Sequence, residues 1–131
     1  MGLRRFRTGE RKLVRAPFPG GPGAEVLVGT EDDWPMGVAH VVIPAGGGMP
    51  EHEHGSSAAM ALPLPLDQPL VMVYVNEPAE LEAGPGDVVT IPVADLVEVR
   101  NRGEADATIA AVFNPPEFTR QLDDRPVDED R

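Results

Sequence analysis

The chain has 131 residues, no cysteine and a formal charge of −11. That length suits one domain able to bury a core, and the missing cysteines exclude disulfides, thiolate ligands and a cysteine nucleophile. The acidic balance sets nucleic acid aside as a partner for the body of the protein.

A basic arm comes first, with Arg4, Arg5, Arg7, Arg11, Lys12 and Arg15 against Glu10 alone. Such an arm has two readings, a site for RNA or an acidic partner or, favoured here, a solvated terminus or an edge strand packed on the protein's own acidic surface. No apolar h-region follows it and no apolar run is long enough to span a membrane, so the expectation is a soluble, cytoplasmic protein with no membrane partner. Short strand-like runs then recur at Lys12 to Ala16, Ala24 to Gly29, Gly37 to Ile43 and Ala58 to Leu64. They continue at Leu70 to Val75, Val88 to Pro92, Leu96 to Asn101 and Ala107 to Asn114. Between them lie turn formers such as Pro44-Ala45-Gly46-Gly47-Gly48, Asp67-Gln68-Pro69, Asn76-Glu77-Pro78 and Gly84-Pro85-Gly86-Asp87. Glycine there supplies positive φ, proline a fixed φ, and Asn or Asp a local cap. No stretch carries a helical stripe of about ten residues. The chain is therefore expected to be all-β, a sandwich or barrel of some eight strands. The division expected is 1–23 as basic arm and edge strand, 24–117 as the barrel, and 118–131 as an acidic, disordered tail.

Two of the three histidines stand in Gly46-Gly47-Gly48-Met49-Pro50-Glu51-His52-Glu53-His54. On an extended strand residues i and i+2 share a face, so His52 and His54 are expected to project together, with Glu53 outward. Glycine, five residues, then His-x-His resembles the opening of the first motif of the cupins, small jelly-roll β-barrels. Gly86-Asp87-Val88-Val89-Thr90-Ile91-Pro92 resembles the second motif, and Asn101 falls where that motif ends. The resemblance covers residues 36 to 114 and implies a cupin-type jelly-roll barrel, a site at its mouth and a homodimer.

The same resemblance exposes a gap. Metal-binding cupins add a glutamate four residues after the second histidine and a histidine five residues after the second-motif proline. Here those positions are Ala58 and Val97, and hydrocarbon does not coordinate metal. His52 and His54 remain as metal candidates for iron, manganese, nickel or zinc (Fe, Mn, Ni, Zn), although an enzyme without metal is the favoured reading. His40, Glu51, Asp67 and Glu98 are the candidate third ligands. Glu98 is expected to point away from Val97's side of its strand. His40 has two readings, a third imidazole lining the barrel or a single hydrogen-bonded histidine at a sheet edge. Its strand is apolar on both faces, so alternation does not decide.

Without metal, His52, His54 and His40 are the candidate catalytic acid/base groups of an isomerase, cyclase or lyase, or with metal of an oxygenase, for an apolar or aromatic small molecule. The alternative is a non-catalytic ligand-binding or sensor module. Trp34, Met36, Met49, Met60 and Met72 are equally open to lining a pocket or filling the core. Ser56 and Ser57 read as turn residues, with no aspartate placed for a triad.

Overall fold

The computed structural model describes residues 2–16, 18–64, 72–76 and 79–126. Its strands are β1 (Leu13–Arg15), β2 (Gly23–Val28), β3 (Gly37–Ile43), β4 (Gly48–His52) and β5 (Ala58–Pro63). They continue with β6 (Met72–Asn76), β7 (Ala79–Ala83), β8 (Val89–Ile91), β9 (Val97–Asn101) and β10 (Ala107–Asn114), followed by one helix, α1 (Phe118–Asp123). A 3-10 turn covers Thr30–Asp32. No helix among the described residues is long and apolar enough to cross a membrane.

All strand pairs are antiparallel and fall into two sheets, ordered β1-β2-β3-β10-β5-β8 and β4-β9-β6-β7. The fold is thus a jelly roll of two facing sheets. It is not a closed barrel, because no described pairing joins one sheet to the other. Period-two alternation drives the packing. In β3, Ala39, Val41 and Ile43 are buried while Val38, His40 and Val42 are half-buried on the opposite face. Facing them across the core are Val97 and Val99 of β9, beside Ile109 and Phe113 of β10. Burying each such side chain contributes about 1.5–3 kcal/mol relative to leaving it in water.

Two glycines tie the turn before β4 to its neighbours. A Cβ on Gly47 would collide with the carbonyl oxygen of Gly20, and one on Gly48 with that of Val99. The backbone therefore approaches closely enough that only glycine fits. Asn101, which ends the second motif, is buried and clamps this region. Its Nδ2 donates to the carbonyl oxygens of Ile43 (3.0 Å) and Ala105 (2.9 Å), and its Oδ1 accepts from the N–H of Gly103 at 2.9 Å.

The basic arm lies along the acidic 25–33 segment. The N–H groups of Gly9 and Arg11 donate to the buried Glu25 carboxylate. Arg11 forms a two-pronged pair with Asp32, at 2.8 Å for each bond. That contact holds the Asp32 carboxyl below its usual range. Arg4 and Arg11 flank the Phe6 ring, each 5.4 Å from its centroid.

One expectation is corrected at the other end. The segment from 118 is not a structureless tail: it opens with α1, whose Phe118, Thr119 and Leu122 are buried. Residues 124–126 continue in contact with the body, since the N–H of Arg15 donates to the carbonyl of Pro126 at 3.0 Å.

Candidate functional site

The sheets open on an apolar cavity of about 50 Å³. Hydrocarbon from both sheets and from α1 lines it, including Val41, Ile91, Val97, Val99 and Ile109, with Met49, Met60, Phe113, Phe118 and Leu122. Three polar side chains join them: His52, His54 and Arg125.

A β-bulge positions the first of these. Met49 pairs with Val99 and His52 with Val97, so three steps along β4 match two along β9. In a regular strand residues three apart face opposite sides, yet Met49 and His52 both line the cavity, because the extra residue turns the strand between them. Pro50, which has no N–H to give a ladder, falls within this irregular step of an edge strand. His54 lies just past the strand end, ahead of the Gly55-Ser56 turn.

The rings meet edge to face, with centroids 4.8 Å apart and an interplanar angle of 89°. Their Nε2 atoms are 3.1 Å apart. His52 Nδ1 lies 2.8 Å from the Pro50 carbonyl oxygen. A carbonyl only accepts, so Nδ1 carries the proton, and a neutral His52 has a bare Nε2. His54 must then donate its Nε2–H to that nitrogen, which leaves His54 Nδ1 as a bare lone pair. That atom is buried and has no hydrogen-bond partner among the described residues.

His54 is only 6% exposed, set against Phe118 (centroids 4.8 Å, 81°) and Phe113 (5.7 Å, 47°). Burial among these rings, with His52 alongside, pushes its pKa down to about 4. The His52 pKa is lowered too, chiefly by burial, with the Arg125 charge adding to the effect against the opposing Pro50 hydrogen bond. Both imidazoles are therefore neutral at neutral pH.

The residues do not fit a metal centre. Two nitrogens bound about 2.1 Å from one ion stand roughly 3.0–3.4 Å apart, so the spacing alone is suitable. The rest of the donor set is not. Val97 pairs with His52 and lines the cavity beside it. The other motif position is corrected by one residue: Ala59 faces the cavity, whereas Ala58 lies in a groove on the outer face. His54 also lacks an acceptor for its second ring nitrogen, a support that ligating histidines nearly always have. Among the described residues no group of three His, Asp or Glu side chains is placed to hold an ion.

The expected third ligands stand elsewhere. His40 lies on the face of β3 opposite the cavity-lining Val41, in register with Glu25 of β2 and Ala110 of β10, so it is no third imidazole. Glu98 is turned away from Val97's side and pairs with Arg100 at 2.8 Å. Glu51 and Glu53 are exposed. Asp67 lies outside the described residues. Ser57 is fully buried and structural: its hydroxyl donates to the Pro115 carbonyl and accepts from the Phe118 N–H at 3.4 Å. Met49 lines the cavity, the exposed Met60 borders both the cavity and the outer groove, Met36 lies in that groove, and Trp34 is 54% exposed. The Met72 side chain is not among those described.

Arg125 and the aromatic cover from Phe118 were not foreseen. The available signal was Phe118 and Leu122 at a helical i, i+4 spacing just after Pro115-Pro116, where a helix can start.

No family model and no curated protein matches the chain. Solved structures do. KdgF from Halomonas sp. superposes with a TM-score of 0.70 at 16% identity, over 88% of this chain and 97% of that one. A Cupin 2 conserved barrel domain protein from Salinispora arenicola gives 0.64 at 18%, over 94% and 96%. The polyketide cyclase RemF from Streptomyces resistomycificus gives 0.67 at 16%, over 86% and 80%. Identities this low establish architecture and leave the activity to the site itself. The two antiparallel sheets, the motif glycines and these superpositions together make the chain a small protein of the cupin fold.

Proposed function

We propose that this protein is a metal-independent enzyme that moves a proton on a small, largely apolar molecule held between its sheets. The observation that carries the reading is the bare, buried Nδ1 of His54 in a ring already hydrogen-bonded to His52. An unpaired acceptor in hydrocarbon costs about 1–3 kcal/mol, which a donating or acidic C–H, O–H or N–H group of a ligand offsets. In the step proposed, ligand entry uncovers the buried His54 Nδ1, which takes the substrate proton while His54 Nε2 passes its own proton to His52 Nε2. The pair then carries one positive charge, on a His52 ring whose Nδ1–H is held by Pro50. The substrate keeps the electron pair of the broken bond, as an isomerisation, elimination or cyclisation requires. Proteins of this fold include a cyclase, which supports chemistry in such a cavity.

The depressed pKa of His54 supports a second reading, a ligand-binding module without turnover. A base that titrates about three units below neutrality is weaker by about 4 kcal/mol than one matched to it. Phenylpyruvate, which has an aromatic body and an enolisable carbon, distinguishes the two. If the proposal holds, the protein accelerates deuterium exchange at that carbon in deuterated water, and His54→Gln removes the acceleration. Binding without acceleration would favour the second reading.

A homodimer in the cytoplasm remains part of the proposal.

A further inference from the structure

We infer that Arg125 binds the anionic end of the ligand, so that the cavity selects a small organic anion, such as a carboxylate with an apolar body, over its neutral analogue. The inference rests on the reading of this cavity as a ligand site and adds the chemical class that it takes.

Arg125 brings the one permanent charge to a lining that is otherwise hydrocarbon and two neutral imidazoles. None of the described Asp and Glu residues pairs with this guanidinium, and no described carbonyl accepts from it. An arginine keeps its charge in any protein environment, and its five N–H donors form a planar fork that matches a carboxylate. Half-burying that fork with no acceptor loses hydration without return, and the burial draws its pKa below the ordinary arginine value. Its position is nonetheless fixed. The Arg125 N–H donates to the Leu122 carbonyl (3.1 Å), the next residue's carbonyl accepts from Arg15, and Lys12 Nζ donates to the Asp123 carbonyl at 2.7 Å.

The arrangement suits an anion on two further counts. The charge lies close enough to the histidine pair to disfavour a proton on His52. A bound anion reverses that effect. Arg125 would also hold the substrate's developing negative charge while the imidazole pair takes up the proton.

Benzoate and benzamide, nearly equal in shape, test this by titration into the full-length protein, read from the methyl resonances of Ala59, Ala61 and Ala111. Wild type is expected to bind benzoate roughly tenfold or more tightly than benzamide. Arg125→Gln is expected to erase that preference, chiefly through lost benzoate affinity, with the cavity methyl resonances of the free variant reporting an intact cavity. Arg125→Lys is expected to restore part of it. The same preference in wild type and Arg125→Gln would overturn the role of Arg125 and leave the ligand site standing. Failure of both probes to shift the cavity methyls would overturn the inference and the ligand-site reading together.

Discussion

The Nε2 atoms of His52 and His54 stand 3.1 Å apart, and the hydrogen bond from His52 Nδ1 to Pro50 settles which of them carries the proton. One backbone carbonyl thereby sets the tautomers of two rings. The consequence is a lone pair on His54 that faces no donor, in a ring that burial keeps neutral.

Keeping His54 neutral links stability to pH. Its pKa falls from 6.5 when the chain is unfolded to about 4 in the fold, so the unfolded state binds more protons between those values. The stability tied to this ring is fully present above pH 6.5 and is lost as pH falls toward 4. The loss is on the order of 3 kcal/mol. Urea denaturation across this range is expected to show a steeper decline for wild type than for His54→Gln, whose side chain does not titrate. Parallel curves would remove the buried, neutral His54 from the account.

The two hydrocarbon places beside the histidines predict how metal binding returns. Ala59→Glu combined with Val97→His supplies the missing donors, so added zinc or nickel is expected to raise the melting temperature of the double variant. At a hundredfold excess over Kd the gain is about 2.7 kcal/mol. Ala58→Glu with Val97→His serves as the control, because residue 58 lies on the outer face, and it is expected to gain far less. Equal gains would show that Ala59 does not face the histidines.

Asn101 is expected to matter for folding rather than chemistry. Asn101→Ala leaves the carbonyls of Ile43 and Ala105 and the N–H of Gly103 without their partner. A cost of about 2–3 kcal/mol follows, visible as a lower urea midpoint with an unchanged slope. Benzamide binding in native buffer should persist. Loss of binding with stability intact would give the residue a role in the site.

Much of the fold is legible in the residues, and the exceptions have physical causes. β3 and β10 run Gly37–Ile43 and Ala107–Asn114, as expected, because apolar runs there end at strong turn formers. β4 was hidden in Gly48-Met49-Pro50, a turn-like composition that is tolerated because the strand is an edge with a bulge. β7, Ala-Glu-Leu-Glu-Ala, has weak strand propensity and is held by full register against β6, a tertiary effect. α1, six residues long, offers only the one i, i+4 pair of Phe118 and Leu122.

At the site, the spacing of His52 and His54 suggests a shared strand face, whereas their rings meet after a bulge and with His54 past the strand end. The face of His40 was not readable, since Val38 and Val42 on its side are as apolar as Ala39 and Val41 on the other. The one-residue error between Ala58 and Ala59 arose in the turn at Gly55-Ser56, where counting along the chain does not fix which face comes next. Arg125 had no signal, because a lone arginine in a charged tail looks solvated.

Nitrogen NMR of the imidazole side chains, followed from neutral to acid pH in the full-length protein, tests the central claim most directly. The account predicts two neutral rings at neutral pH, with the proton on Nδ1 of His52 and on Nε2 of His54, and a His54 titration near 4. A His54 midpoint near the ordinary 6.5, or ring shifts characteristic of a bound metal in protein as purified, would contradict it.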